Sequence, residues 1–273
     1  MKFINLFAML GFLLILNSSL LGQEKYCKAI EDNSFFIEEA YNQEPGVVQH
    51  IFNGLYFNKP TKDLELSFTQ EWPVFSQRHQ LSYTIPYNSI NSGNPSGLGD
   101  IMIHYRYMAL TCDDWITFAP RFSLILPIGN KDKGLGSGTL GYEINLPFSK
   151  RLSDQFVTHI NAGITLIPSI TETIDDKEYK TTYTSFFGGI SLIYLATREL
   201  NIMLEALHTY EKESSDDLTF DNNETIISPG LRYLIPIESL DLEIVPGFAL
   251  PISINKDETR LGFFFYLSFE HSF

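Results

Sequence analysis

Polar and apolar residues alternate with a period of two along most of the chain beyond residue 46. In the stretch 115–127, the even positions hold Ile, Phe, Pro, Phe, Leu and Leu, whereas the odd positions are mostly small or polar. Such alternation is typical of β-strands whose two faces meet different environments. It predicts about twelve strands, near residues 47–57, 63–72, 79–87, 100–109, 115–127, 140–148, 156–168, 181–196, 200–210, 225–234, 241–254 and 259–273.

The less apolar face of these strands carries ionisable side chains. A soluble sandwich or lipocalin-like barrel also alternates, but it would bury these groups in a dry core at a large desolvation cost. In a transmembrane barrel the same side chains line a wet lumen, and the apolar face contacts lipid. The pattern therefore favours an all-β transmembrane antiparallel up-and-down β-barrel. The predicted lumen-lining residues are Glu65, Glu71, Asp100, His104, Arg106, Arg121, Glu143, His159, Glu205, Arg232, Glu243 and Arg260.

The predicted connections differ in length and composition on the two ends of the sheet. Tight turns occur at 110–114 and 197–199, whereas the connections after strands three, five, seven and nine are long or acidic, at 88–96, 129–138, 169–178 and 211–224. Long outer loops and short inner turns indicate that both termini face the periplasm. Phe273 ends a predicted strand with alternating aromatic residues. This pattern predicts a signal for the barrel-assembly machinery.

The first residues are typical of a secretory signal peptide at 1–22. Lys2 precedes an apolar run at 4–16, and the small residue Gly22 follows. The run is short for a membrane anchor, and Gln23 stands where a lipoprotein would need cysteine. We expect residues 23–46 to form a periplasmic or plug segment, since a weak 3.6-residue pattern at 34–44 predicts a short helix or a plug. Residues 47–273 then form the barrel.

Composition excludes several alternatives. Among 273 residues, 33 Asp and Glu against 19 Lys and Arg give a formal net charge of −14, which argues against nucleic acid as a partner. A hydrophobic content of 44% argues against a disordered chain. Two cysteines are too few for a disulfide framework. Cys27 and Cys112 are both predicted to face the oxidising periplasm, where they could be bonded or remain free thiols.

No sequence motif predicts catalysis, a cofactor or a metal site. Glycines at 134, 136, 138 and 141 precede a strand, whereas a dinucleotide fingerprint needs a following helix, so they indicate an outer loop. His104, His159 and Asp100 lie on separate strands without the spacing of metal ligands. The acidic stretches 169–178 and 211–224 predict solvated loops, which could also attract divalent cations at a lipopolysaccharide surface.

Three short motifs resemble the "MetA-pathway of phenol degradation" outer-membrane family. Residues 36–50 are similar to its N-terminal stretch, and Gly97-Leu98-Gly99-Asp100 matches its Gly-Leu-Gly-Asp signature. Pro127-Ile128-Gly129 resembles its Pro-Thr-Gly turn, with Ile128 in place of the hydroxyl residue. The family is a distant relative of fatty-acid transport barrels. The resemblance implies a transport role for small, hydrophobic compounds and supplies no established site residues.

The sequence therefore predicts a non-enzymatic outer-membrane β-barrel with a narrow passive path for a small hydrophobic or aromatic solute. Its expected partners are outer-membrane lipid, lipopolysaccharide, the barrel-assembly machinery and the solute. The mixed charges on the predicted lumen face leave a second hypothesis open. They could form a network that fills the lumen of a structural or surface-binding barrel without flux, because a lumen of this strand number is narrow.

Overall fold

The computed structural model describes residues 33–58, 62–174, 177–215 and 219–273. The predicted signal peptide and Cys27 lie outside these residues. Twelve barrel strands follow one another along the chain. They are β1 (Val47–Phe57), β2 (Asp63–Val74), β3 (Ser76–Ser89), β4 (Ser96–Leu98 and Ile101–Tyr107), β5 (Thr117–Phe118 and Arg121–Leu126), β6 (Gly141–Asn145 and Phe148–Arg151), β7 (Phe156–Ile174), β8 (Lys177–Leu195), β9 (Leu200–Ser214), β10 (Thr219–Tyr233 and Ile235–Ile237), β11 (Leu242–Ala249 and Ile252–Asn255) and β12 (Thr259–Ser272).

Each strand pairs in antiparallel fashion with the next, and β1 also pairs with β12. Val47 lies opposite Ser272 and Phe57 opposite Gly262, so the sheet closes on itself without a free edge. The predicted twelve-stranded up-and-down barrel is confirmed. Short 3₁₀ helices occur at Lys131–Lys133 and Glu238–Leu240. Within the described ranges, no helix is long and apolar enough to cross a membrane.

The two faces of the sheet have opposite character. Large apolar side chains such as Phe52, Leu204 and Phe265 are exposed on the outside. The buried inner positions hold mainly amides, hydroxyls, imidazoles and charges, including Gln80 and Ser123. This inversion suits a wall between lipid and an enclosed polar space, because lipid offers no hydrogen bonds to polar side chains.

Two predicted loops are largely strands. β7 continues to Ile174 and β8 begins at Lys177, so most of the expected loop at 169–178 is paired backbone. Likewise, β9 and β10 remain paired up to Ser214 opposite Thr219, within the expected loop at 211–224. Acidic composition suggested loops, but four of the six residues at 169–174 are β-branched, which favours strands, and Lys212 lies opposite Asp221. Such opposite charges stabilise a strand pair.

Candidate functional site inside the barrel

Residues 33–46, here called the inner segment, lie inside the barrel beside the end at which β1 begins and β12 ends. Ile37, Ala40, Asn42 and Gln43 are each at most 1% exposed. The segment forms bends and turns and contains no helix, so the helical alternative is wrong. Its backbone groups bond to side chains of the barrel wall, which replaces the hydrogen bonds that a helix would supply.

Glu205 on β9 holds the first part of the inner segment. Its Oε1 atom accepts hydrogen bonds from the backbone N–H groups of Phe35, Phe36 and Ile37, at 3.0, 2.8 and 3.1 Å. The carboxylate is 1% exposed and faces inward because it shares the inner-face parity of β9 with Asn201 and Met203. This one oxygen thereby satisfies three backbone donors of the inner segment.

Uncharged side chains of the wall hold the remainder of the segment. Asn161 on β7 accepts from the Glu38 N–H and donates to the Glu38 carbonyl, both at 2.8 Å. Ser149 Oγ accepts from Ala40 N–H at 2.7 Å. On β3, Gln80 Oε1 accepts from Gln43 N–H at 2.7 Å. The sequence analysis did not identify these wall residues because it selected ionisable groups. Their position on the same face of the strands as the predicted lumen residues could have identified them.

Aromatic packing fixes the start of the segment against β12. The Phe35 ring centroid lies 5.2 Å from those of Phe264 and Tyr266, and Phe36 lies 5.0 Å from Phe264. Gly247 on β11 makes room, since a Cβ atom there would lie 2.6 Å from the Phe35 ring. One side of the inner segment is therefore packed as an apolar core, whereas its other side faces charged groups.

The charged groups form a cluster, called the inner charge cluster, around Arg106 on β4 and Arg121 on β5. Arg106 lies 3.7–3.8 Å from the carboxylates of Glu38, Glu39 and Glu71. Its direct hydrogen bonds go to the backbone carbonyls of Glu39 (3.2 Å) and Tyr41 (2.9 Å). Burial raises the pKa of the Glu39 carboxyl to about 7, while Arg106 opposes this rise and Glu71 adds to it.

Arg121 completes the cluster. Its guanidinium pairs with Glu38 of the inner segment and, at 2.6 Å, with Glu143 on β6. Glu143 also accepts from Thr165 Oγ1 at 2.9 Å. The predicted residues Glu71, Arg106, Arg121 and Glu143 thus lie together, joined by two carboxylates of the inner segment that were not among the predicted residues.

The two predicted histidines lie on the inner face, and each contacts hydroxyl groups that the other does not contact. His104 contacts Ser123 Oγ at 2.8 Å and Thr84 Oγ1 at 3.1 Å. His159 contacts Ser149 Oγ at 2.7 Å. In the described part of the chain, no three His, Cys, Asp or Glu side chains are grouped as metal ligands.

A second charged group lies at the other end of the barrel, where β1 ends and β12 begins, here called the loop end. Arg260 on β12 bonds to Glu224 on β10 at 2.9 Å and lies 3.6 Å from Glu258. Its guanidinium also stacks over Phe57, 4.6 Å from the ring centroid. Glu65 interacts electrostatically with both Arg260 and Glu224. We call Glu65, Glu224, Glu258 and Arg260 the mouth cluster.

Asp100 has a local structural role and lies away from both clusters. It accepts from the Gly129 N–H at 2.9 Å and from the Ser137 N–H and hydroxyl at 2.7 and 2.6 Å. The motif Gly97–Asp100 thereby fastens the loop between β5 and β6 to the barrel. The carboxylate is therefore bonded to the loop, and its predicted place in the lumen lining stays a prediction.

The remaining predicted residues of the described ranges lie near the end at which β1 begins and β12 ends. Arg232 on β10 is 2% exposed. Glu243 lines two depressions of about 280 and 690 Å³. Cys112 is in the turn after β4, and a bond to Cys27 stays a prediction. Phe273 donates its N–H to the Gly46 carbonyl at 2.9 Å, beside the start of β1; its role in assembly also stays a prediction.

A cavity of about 240 Å³ separates the inner segment from the wall formed by β1 to β5. Arg106, Arg121 and His104 line it on the wall side, and Glu38 and Glu39 line it on the segment side. This cavity is open space directly beside the inner charge cluster. A solute inside it would meet charged and hydroxyl groups on several sides.

Comparisons with known proteins agree with this architecture. An outer membrane channel from Pseudomonas putida F1 is similar, with a TM-score of 0.66 and 12% identity over 88% of this chain and 100% of that one. The NanC porin has a TM-score of 0.51 and 11% identity over 81% of this chain and 98% of its own. No family model and no curated protein matches, so the resemblance to the MetA-pathway family stays a prediction. At these identities, the comparisons establish that the chain has the fold of an outer-membrane β-barrel.

Proposed function

We propose that this protein is a passive outer-membrane channel in which the inner segment narrows the lumen to a polar path for a small solute. The observation that carries this proposal is the cavity of about 240 Å³ between the inner segment and the β1–β5 wall. An aqueous lumen reduced to such a space would exclude large solutes while letting small ones pass. The end at which β1 begins and β12 ends would face the periplasm, since the longest connection between described strands, residues 127–140, lies at the opposite end.

The lining of the cavity favours a hydrophilic solute. Arg106, Arg121, Glu38 and Glu39 contribute charges, and Thr84 adds a hydroxyl. Desolvating a charged wall against a purely apolar solute would be costly. Phe35, Ile51 and Tyr266 supply an apolar side, so a small solute with an aromatic part also fits, whereas a fully hydrophobic one has less support.

The alternative function is a structural barrel whose filled lumen passes nothing. It is favoured by the dense bonding of the inner segment, in which Glu205 alone accepts three backbone hydrogen bonds. In this alternative the inner segment would stabilise the barrel wall and block the lumen permanently.

Planar-bilayer recording and liposome swelling on the full-length mature protein distinguish these functions. A narrow channel predicts small, discrete conductance steps and swelling with small polar solutes that declines sharply with solute size. Absence of both signals would favour the filled barrel. Large steps with little dependence on solute size would contradict the narrow path.

A further inference from the structure

We infer that the path prefers cations and cationic solutes over anions. This inference rests on the proposed function, since it concerns the solute class of the same lumen. It is carried by an excess of carboxylates at two successive levels of the path, the mouth cluster and the inner charge cluster. The basic residues in both clusters are too few to balance them.

The inner charge cluster has four carboxylates and two guanidiniums. Glu38, Glu39 and Glu71 surround Arg106, while Arg121 pairs with Glu38 and Glu143. The direct hydrogen bonds of Arg106 go to backbone carbonyls. It therefore offsets the charges of the three neighbouring carboxylates only from 3.7–3.8 Å. Arg232 on β10, whose charge also acts on Tyr266 in the cavity wall, adds a third cation, and the four carboxylates still outnumber the guanidiniums.

The mouth cluster repeats this imbalance with different residues. Arg260 is its single cation, whereas Glu65, Glu224 and Glu258 are its three carboxylates. A cation entering from the loop end would therefore meet a negative potential first at the mouth and again at the cavity. Walls of low dielectric concentrate such a field inside a narrow passage.

The cavity provides the space in which this field can act on a solute. Glu38, Glu39 and Glu71 all line it together with Arg106 and Arg121. A cation seated there would restore local charge balance. An anion would add to the excess and would have to break an existing carboxylate–guanidinium pair. The chemistry therefore points to small inorganic cations and to amines, including solutes that combine an amine with polar groups.

The test measures reversal potential across planar bilayers that separate two KCl concentrations. The full-length mature protein is expected to show a permeability ratio of K⁺ over Cl⁻ several-fold above one. This ratio should fall toward one at molar salt, because mobile ions screen the wall charges. A ratio at or below one at low salt would overturn the inference and leave the channel itself intact. Absence of conductance would contradict the proposed function, and the selectivity inference would fall with it.

Isosteric variants identify the groups responsible. The double variant Glu65→Gln, Glu224→Gln should lower the K⁺ preference, since Arg260 would then dominate the mouth, whereas Arg260→Gln should raise it. Asp221→Asn is the matched control, because Asp221 is exposed on β10 three residues from Glu224 and has the opposite parity. An equal effect of Asp221→Asn and the double variant would show that overall charge, and not the lumen, sets the selectivity.

Discussion

The Oε1 atom of Glu205 lies 2.8 Å from the backbone nitrogen of Phe36, although the two residues are 169 positions apart. The same oxygen accepts from Phe35 and Ile37. One carboxylate on β9 therefore fixes three successive peptide groups of a segment that precedes the first strand. The position of the inner segment, and hence the width of the proposed path, depends on this buried contact.

We predict that Glu205→Ala releases the inner segment and enlarges the conductance. Three backbone donors would lose their acceptor, and each buried unsatisfied group costs roughly 1–3 kcal/mol. The barrel itself should persist, because its strand pairing does not involve this side chain. Single-channel recording measures the effect. Loss of the folded band in gel electrophoresis of unheated samples would instead reveal a barrel that fails to assemble.

Glu211→Gln is the control for this prediction. Glu211 lies on the same strand and inner face as Glu205 but bonds to Tyr183 and Asn222 instead of to the inner segment. It should leave the step size near the wild-type value. If Glu205→Ala and Glu211→Gln behave alike, the carboxylate does not control the segment.

Strand number and face orientation could be predicted from the sequence because both follow from a local two-residue period. Phe265 and Arg106, for example, have the faces that alternation assigns to them. The ends of β7 to β10 could not be predicted, because the decision between loop and strand at Lys212 depends on its partner Asp221, nine residues away. Composition alone contains no information about such pairing.

The charged wall residues could also be predicted, but their partners could not. Arg106 was identified by its parity on β4, whereas Glu38 and Glu39 lie in a segment with no β pattern. Their contact with Arg106 is set by the path of the chain through the lumen. Asp100 was selected by the same parity, and its position at the strand end allows it to accept from the Gly129 backbone, a contact that parity does not predict.

We predict that Gly163→Ala destabilises the barrel. A Cβ atom at Gly163 on β7 would lie 2.1 Å from the ring of Phe187 and 2.5 Å from the Ile144 carbonyl oxygen. The ring could move, but the carbonyl belongs to the paired backbone, so overpacking should cost about 1–3 kcal/mol. Equilibrium unfolding in urea measures this loss.

Gly188→Ala provides the matched control. Gly188 is adjacent to Phe187 on β8, but its Cβ atom would meet only the Asn161 carbonyl at 3.6 Å, an ordinary contact. Its midpoint of unfolding should stay near that of the wild type. Equal stability of the two variants would contradict the close approach of Phe187 to Gly163.

We predict that Cys27 and Cys112 form a disulfide in protein from the native envelope. Both are expected at the periplasmic end, which is oxidising. A bond would tether the chain that leads to the inner segment, so reduction should increase fluctuations of the conductance. Alkylation in denaturant followed by mass spectrometry should label the thiols only after reduction. Labelling of both thiols without reduction would refute the bond.

The last prediction is that channel opening increases with pH through Glu39. The pKa of its buried carboxyl is raised from about 4.5 to about 7, so the docked inner segment binds more protons than a released one. Docking is therefore strongest below about pH 4.5 and weakens as the pH rises through about 7, where Glu39 ionises beside Glu38 and Glu71 and is only partly stabilised by Arg106 and a backbone hydrogen bond. Conductance recorded between about pH 5 and pH 8 should rise. Glu39→Gln cannot ionise and should flatten this dependence, whereas Glu211→Gln should preserve it. An unchanged profile in Glu39→Gln would assign the pH response to another group.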